Sequence, residues 1–140
     1  MPDLEQLLAE IGAPRERRED GTWTVRVPCE ARGELPVGIA PGERTLSLTA
    51  FVVRGPDRAH EAVYARLLRR HLGSHVWRFA LDEAGDIFAV AVVPRAGLGA
   101  RDLDEVLGAL SVLIDAAYET IVRTGFDVPD DVQVTGAPPD

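Results

Sequence analysis

Between His75 and Pro94 the chain reads HVWRFALDEAGDIFAVAVVP, two apolar arms around an acidic turn, and few folds accommodate such a stretch. Both arms have the length and residue types of β-strands, and both are too apolar to face water. A hairpin of this kind has to lie in a covered sheet. With Asp82 to Gly85 as a four-residue loop and Gly85 in the left-handed conformation, Leu81 pairs with Asp86, Phe79 with Phe88 and Trp77 with Val90. That register puts Trp77, Phe79, Leu81, Phe88, Val90 and Val92 on one face. A shorter loop opposes Phe79 to Ala89 and wastes the large residues. The opposite face holds Val76, Arg78, Ala80, Ile87, Ala89, Ala91 and Val93, and its small row Ala80, Ala89 and Ala91 marks where a helix or a partner approaches closely.

The remaining elements read as cover for this hairpin. Asp3 with Gln6 forms a capping box before a short helix over residues 4 to 11, whose Leu4, Leu7, Leu8 and Ile11 share one face. The charged run from Arg15 to Gly21 reads as a solvated loop. Trp23, Val25 and Val27 alternate with polar residues as a half-buried strand does, and Leu35, Val37 and Ile39 repeat the pattern. Pro41 and Gly42 then suit a type II turn leading into a returning arm with Leu46, Leu48, Ala50 and Val52 on one face. Phe51 and Val53 predict that the end of this arm is covered on both sides. Asp57 is placed to cap a helix reaching Leu72, with Gly73 as its left-handed stop. Asp102 with Glu105 forms a second capping box before a last helix from about Leu103 to Arg123, and Gly125 ends it. The expected order is α-β-β-β-α-β-β-α, an α+β domain over residues 1–126 with a five-stranded antiparallel sheet and three helices, followed by an acidic, mobile tail at 127–140.

Length and charge narrow the function classes. The 140 residues, 46% hydrophobic, have room for one domain, and no apolar run is long enough to cross a bilayer. The N-terminus lacks the basic start and apolar core of a secretory signal, so the expected location is the cytoplasm. With 23 acidic against 15 basic residues and a net charge of -8, bulk attraction to nucleic acid or to anionic membrane is not expected.

The segments RTLSLTAFVVR, HEAVYARLLRRHL, RFALDEAGDIFAVAVVP and LDEVLGAL resemble the actinobacterial branch of the YbjN family, whose fold is similar to that of type III secretion chaperones. The likeness runs from about Trp23 to Phe126, and its most specific part is the FALDEAGDI hairpin with the Tyr64 helix before it. The resemblance implies a five-stranded antiparallel sheet, frequent dimerisation and a chaperone-like or regulatory role. It brings no catalytic residues.

The individual candidates for chemistry reduce to structural roles. His60-Glu61 starts like a zinc-protease helix, but Tyr64 stands where the second histidine is required. His71 and His75 are separated by Gly73 and need not share a face. Asp82, Glu83 and Asp86 crowd a turn much shorter than the loop of about twelve residues that an EF-hand calcium site uses. Cys29 has no activating neighbour in sequence and reads as an idle thiol. PRAGLGARD lacks the order of a phosphate-binding loop, and its acidic residues would repel an anion. The face Arg58, Arg66, Arg69 and Arg70 is the best case for an anionic partner, weighed against a solvated face paired with nearby acids.

No cofactor and no metal site is expected, and the chain reads as non-enzymatic. The expected activity is that of a protein-binding, chaperone-like or regulatory module, a homodimer that holds a polypeptide partner. The alternative is a small-molecule-sensing domain with a pocket between the sheet and the last helix. The dimer or partner surface is expected among Val63, Tyr64, Leu67, Leu68, Arg66, Arg70, Arg78, Ala80, Ala89 and Ala91. Whether the apolar face of the second helix is core or interface is open at this level.

Overall fold

Alternation decides the architecture. In the strands Leu35–Pro41 and Thr45–Val53, every second residue is buried and the residues between them face outward. The computed structural model describes residues 3–126, so the expected tail at 127–140 lies outside the described residues. In chain order the elements are α1 (Leu4–Ile11), β1 (Arg15–Arg17), β2 (Trp23–Val27), β3 (Leu35–Pro41), β4 (Thr45–Val53), α2 (His60–Arg70), β5 (Arg78–Leu81), β6 (Ile87–Pro94) and α3 (Ala100–Gly125). The sheet is antiparallel with the order β1-β2-β3-β4-β6-β5. It has six strands, not five. The extra one is β1, inside the stretch expected to be a loop; its Arg15, Glu16 and Arg17 are all exposed, and it is held by pairing to Val25, Thr24 and Trp23.

The central hairpin is shifted by one residue from the expected register. Leu81 pairs with Ile87, Ala80 with Phe88, Phe79 with Ala89 and Arg78 with Val90. Asp86 belongs to the turn: its N–H donates to the Asp82 carboxylate at 2.9 Å, and its own carboxylate accepts the Gly55 N–H at 2.8 Å. Spending Asp86 there makes Ile87 the first residue of the return strand. Gly85 does adopt the expected left-handed conformation, with φ of 87°. The consequence is a different sorting of faces. Ile87, Ala89, Ala91 and Val93 join Trp77 and Phe79 in the core, while Ala80, Phe88, Val90 and Val92 lie on the opposite, helix-free side.

The three helices bury Leu4, Leu7 and Leu8, then Val63 and Leu67, then a stripe from Leu103 through Ile114 to Ile121, all in the same core as the strands. No polar or charged residue is buried among those described. Trp77 closes the layer, its Nε1–H donating to the Val106 carbonyl of α3 at 2.8 Å. The helix ends differ from expectation. Asp3 makes no side-chain cap bond, and α2 starts after Ala59, because Asp57 is ion-paired to Arg54 at 2.7 Å. The helix also stops at Arg70, with His71 rather than Gly73 at its C-cap. In α3 it is Gly99 that caps, its N–H bonded to the Asp102 carboxylate at 2.8 Å.

The far end of α3 is locked against the β4–α2 connection. The Gly125 carbonyl accepts the N–H groups of Asp57 and Arg58 at 2.7 and 3.1 Å. A Cβ on Gly125 would stand 2.8 Å from Pro56 Cβ and 3.0 Å from Val63, so only glycine permits this approach. The junction fixes α2 beside α3 and Phe126 under the Arg54 guanidinium at 4.6 Å.

Candidate protein-interaction surface

The expected surface residues separate into distinct environments. Val63 and Leu67 are buried in the core, as are Ala89 and Ala91. Tyr64 is half-buried and packs against the core edge. Ala80 lies on the other side of the sheet from Ala89 and Ala91, a consequence of the register shift. Arg78 stands exposed on the edge strand β5 with its guanidinium donating to the carbonyls of Ser74 and Trp77 at 3.1 and 2.9 Å. Leu68, by contrast, is 66% exposed. Two residues from each, it points away from Arg66 and Arg70, which line the α2–α3 groove.

Two hollows adjoin beside α3 and share Arg70. One, of about 260 Å³, lies between α2 and α3, with Leu67, Ala117 and Ile121 beneath and Arg66, Arg69 and Arg70 around it. The other, of about 420 Å³, lies between α3 and the segment from Gly73 to Trp77, and Val76, Ala109, Val112 and Leu113 make it largely apolar. Val112 is 71% exposed and Leu72 92% exposed. Sequence reasoning missed Leu72 and Val112 as surface residues: both fall at helical spacing near core positions, and their exposure depends on where α2 ends and how α3 rolls. Arg70 is oriented by a bond to the Ala116 carbonyl at 2.8 Å.

The helix-free side of the sheet is a second exposed surface. Phe51 and Phe88 meet edge to face at 5.4 Å between ring centres, with Phe51 41% exposed and Val92 62% exposed. The expectation that Phe51 is covered on both sides is therefore corrected. Polar Ser47 and Thr49 pair with Val92 and Val90 on this side, which dilutes the apolar row.

The titratable candidates do structural work. Asp82 and Asp86 hold the hairpin turn and the Gly55 loop, as described. His71 accepts the Phe79 N–H at 2.9 Å and stacks on the Phe79 ring. That amide belongs to the outer edge of β5, so the imidazole occupies a donor an edge strand would otherwise leave free. Burial, assisted by the Arg78 charge, lowers the proton affinity of His71 below the usual histidine range. The Cys29 thiol is buried beside Ser111, and burial pushes its pKa up, which keeps it protonated and unreactive. No group of three His, Cys, Asp or Glu side chains that could hold a metal ion occurs among the described residues. Nor is any described helix long and apolar enough to cross a membrane.

Comparison with known proteins agrees with this geometry. The model of the YbjN family, described as "Putative bacterial sensory transduction regulator", matches residues 3–123. A Mycobacterium leprae protein is 32% identical over 102 residues, which cover 73% of this chain and 55% of the relative. A Mycobacterium tuberculosis protein is 31% identical over 102 residues, 73% of this chain and 56% of the relative. The chain spans about half the length of these mycobacterial relatives. Among solved structures, the Yersinia pestis type III secretion chaperone SycH, in complex with a stable fragment of YscM2, has a TM-score of 0.58 at 22% identity, covering 83% of this chain and 94% of that one. A chain of the HopA1–SchA chaperone–effector complex gives 0.60 at 18% identity, with 83% and 90% covered. Escherichia coli YbjN, described as a putative transcription regulator, gives 0.60 at 14% identity, with 84% and 89% covered. These likenesses establish a chaperone-like α+β fold.

Proposed function

The chain belongs to the YbjN family, and we propose that it works in the cytoplasm as a non-enzymatic, chaperone-like or regulatory module, a homodimer that holds a polypeptide partner. The observation that carries the reading is apolar surface left outside a well-packed core. Leu68, Leu72 and Val112 are each more than half exposed, Val112 beside the hollow next to α3, and a monomer gains nothing by displaying them. Support comes from two fold neighbours, SycH and SchA, whose structures are complexes with a YscM2 fragment and with HopA1.

Sedimentation of the full chain combined with crosslinked pull-down tests the reading. The expected result is a dimer and a recovered polypeptide whose capture is lost in a Leu68→Ser/Val112→Ser variant. A strict monomer with no specific partner overturns it. A small-molecule-sensing role is the second reading, motivated by the hollow of about 420 Å³ beside α3, a volume within the range of ligand sites. The layer between sheet and α3 holds no buried polar or charged residue among those described, so a polar ligand would find no partners there.

A further inference from the structure

We propose that the line between α2 and α3 is a docking track for an acidic amphipathic polypeptide segment of another protein. The inference rests on the protein-binding reading above and names the chemistry of the partner. The two hollows meet at Arg70. From Ala109 to Ile121, α3 supplies the floor of both hollows over about 18 Å of helix. Its two halves differ in character: the half toward Ala109 is apolar, with Val112 and Leu113, and the half toward Ile121 is ringed by Arg66, Arg69 and Arg70.

Among the described residues, no carboxylate pairs with Arg66, Arg69 or Arg70. Over that span α3 carries two carboxylates, and both are engaged elsewhere: Asp115 accepts the Ala31 N–H at 3.0 Å, and Glu119 is paired to Arg123 at 3.1 Å. Neither Arg66 nor Arg69 has an ion pair or side-chain hydrogen bond among the described residues. At Arg66 and Arg69 the arginine face is solvated without acid partners among the described residues. Three arginines around an apolar floor make a local positive rim in a chain of net charge -8, and that rim selects against basic partners and in favour of carboxylates at short range. Leucine-type side chains would fill the floor and the apolar half, while glutamates or aspartates would meet the rim. Arginine is also a residue whose truncation costs most at polypeptide interfaces.

The test uses the full chain and three fluorescein-labelled peptides read by anisotropy: one with leucine and glutamate at helical spacing, one with glutamine replacing glutamate, and one with lysine replacing it. The expected result is saturable binding of the acidic peptide, about fivefold or weaker binding of the glutamine peptide, and none of the lysine peptide. An Arg66→Ser/Arg69→Ser variant with unchanged circular dichroism should bind the acidic peptide no better than the glutamine one. Equal binding of acidic and glutamine peptides, indifferent to that variant, overturns the acidic partner while leaving the protein-binding reading standing. A dimer that Val112→Asp converts to monomer, with no peptide bound by the parent chain, assigns the track to a second copy and also overturns it. Failure of all three peptides, together with an empty pull-down, removes both.

Discussion

Along β4 and β6 the same two strands build opposite surfaces. Leu48 pairs with Ala91 and Ala50 with Ala89 on the helix side, where all four are buried. One residue along, Thr49 pairs with Val90 and Phe51 with Phe88 on the side without helices. The covered side combines large and small residues so that helices can approach, whereas the open side mixes hydroxyls with apolar groups and keeps half of them wet. Strand propensity is satisfied equally on both, so the difference lies in what packs above each face. Covered positions are therefore expected to set stability, and positions outside the core to set interaction.

The sharpest way to break that contrast is at Trp77, which is 1% exposed and tied to α3 through Val106. Trp77→Ala should cost about 3–5 kcal/mol, from lost burial and a cavity beneath α3, seen as a lower urea midpoint. A loss below about 1 kcal/mol would show that the helix layer does not depend on this contact. At the sheet edge the effect is smaller and depends on pH. The folded chain holds His71 neutral, its proton affinity lowered by burial and by Arg78, while the unfolded chain binds a proton normally. The stabilisation is complete above the ordinary histidine range and is lost as pH falls through the depressed folded value. Urea titrations at about pH 7.5 and about pH 5 should show this loss in the parent chain and less of it in His71→Gln, whose side-chain oxygen can still accept the Phe79 N–H. An identical pH response in both would mean the imidazole is not what holds the edge. The smallest effect is expected on the open side, where Val92 is 62% exposed. Val92→Thr should leave the urea midpoint within about 0.5 kcal/mol of the parent, and a larger loss would show that something covers this face in solution.

These two faces also show how far the residues could be read. Val25 and Val27, Leu35, Val37 and Ile39, and Leu46, Leu48, Ala50 and Val52 announce one buried face each by strict alternation, and all are buried. The hairpin defeated the same logic because both of its faces are apolar, so neither alternation nor size could pick a register. The choice fell to Asp86, whose bonds to Asp82 and Gly55 close the turn one residue later than hydrophobic pairing alone would place it. β1 left no pattern at all, since an edge strand exposed on both faces is held by backbone hydrogen bonds that any side chains permit.

The candidate surface was legible only in part. The arginine spacing on α2 is visible in the chain, and so is the apolar stripe of α3, but nothing local says that they line one groove. That is decided by Gly125, where a bare Cα lets the end of α3 close on Pro56 and Val63. Sequence alone determined the helices, the alternating strands, the glycine turn and the absence of bulk positive charge, because each follows from local periodicity or from a sum over residues. Tertiary structure decided the register, the sixth strand, the insertion of β6 between β4 and β5, and the lack of an acid partner for Arg66 and Arg69 among the described residues. Those depend on contacts between segments far apart in the chain, whose energies no local pattern contains.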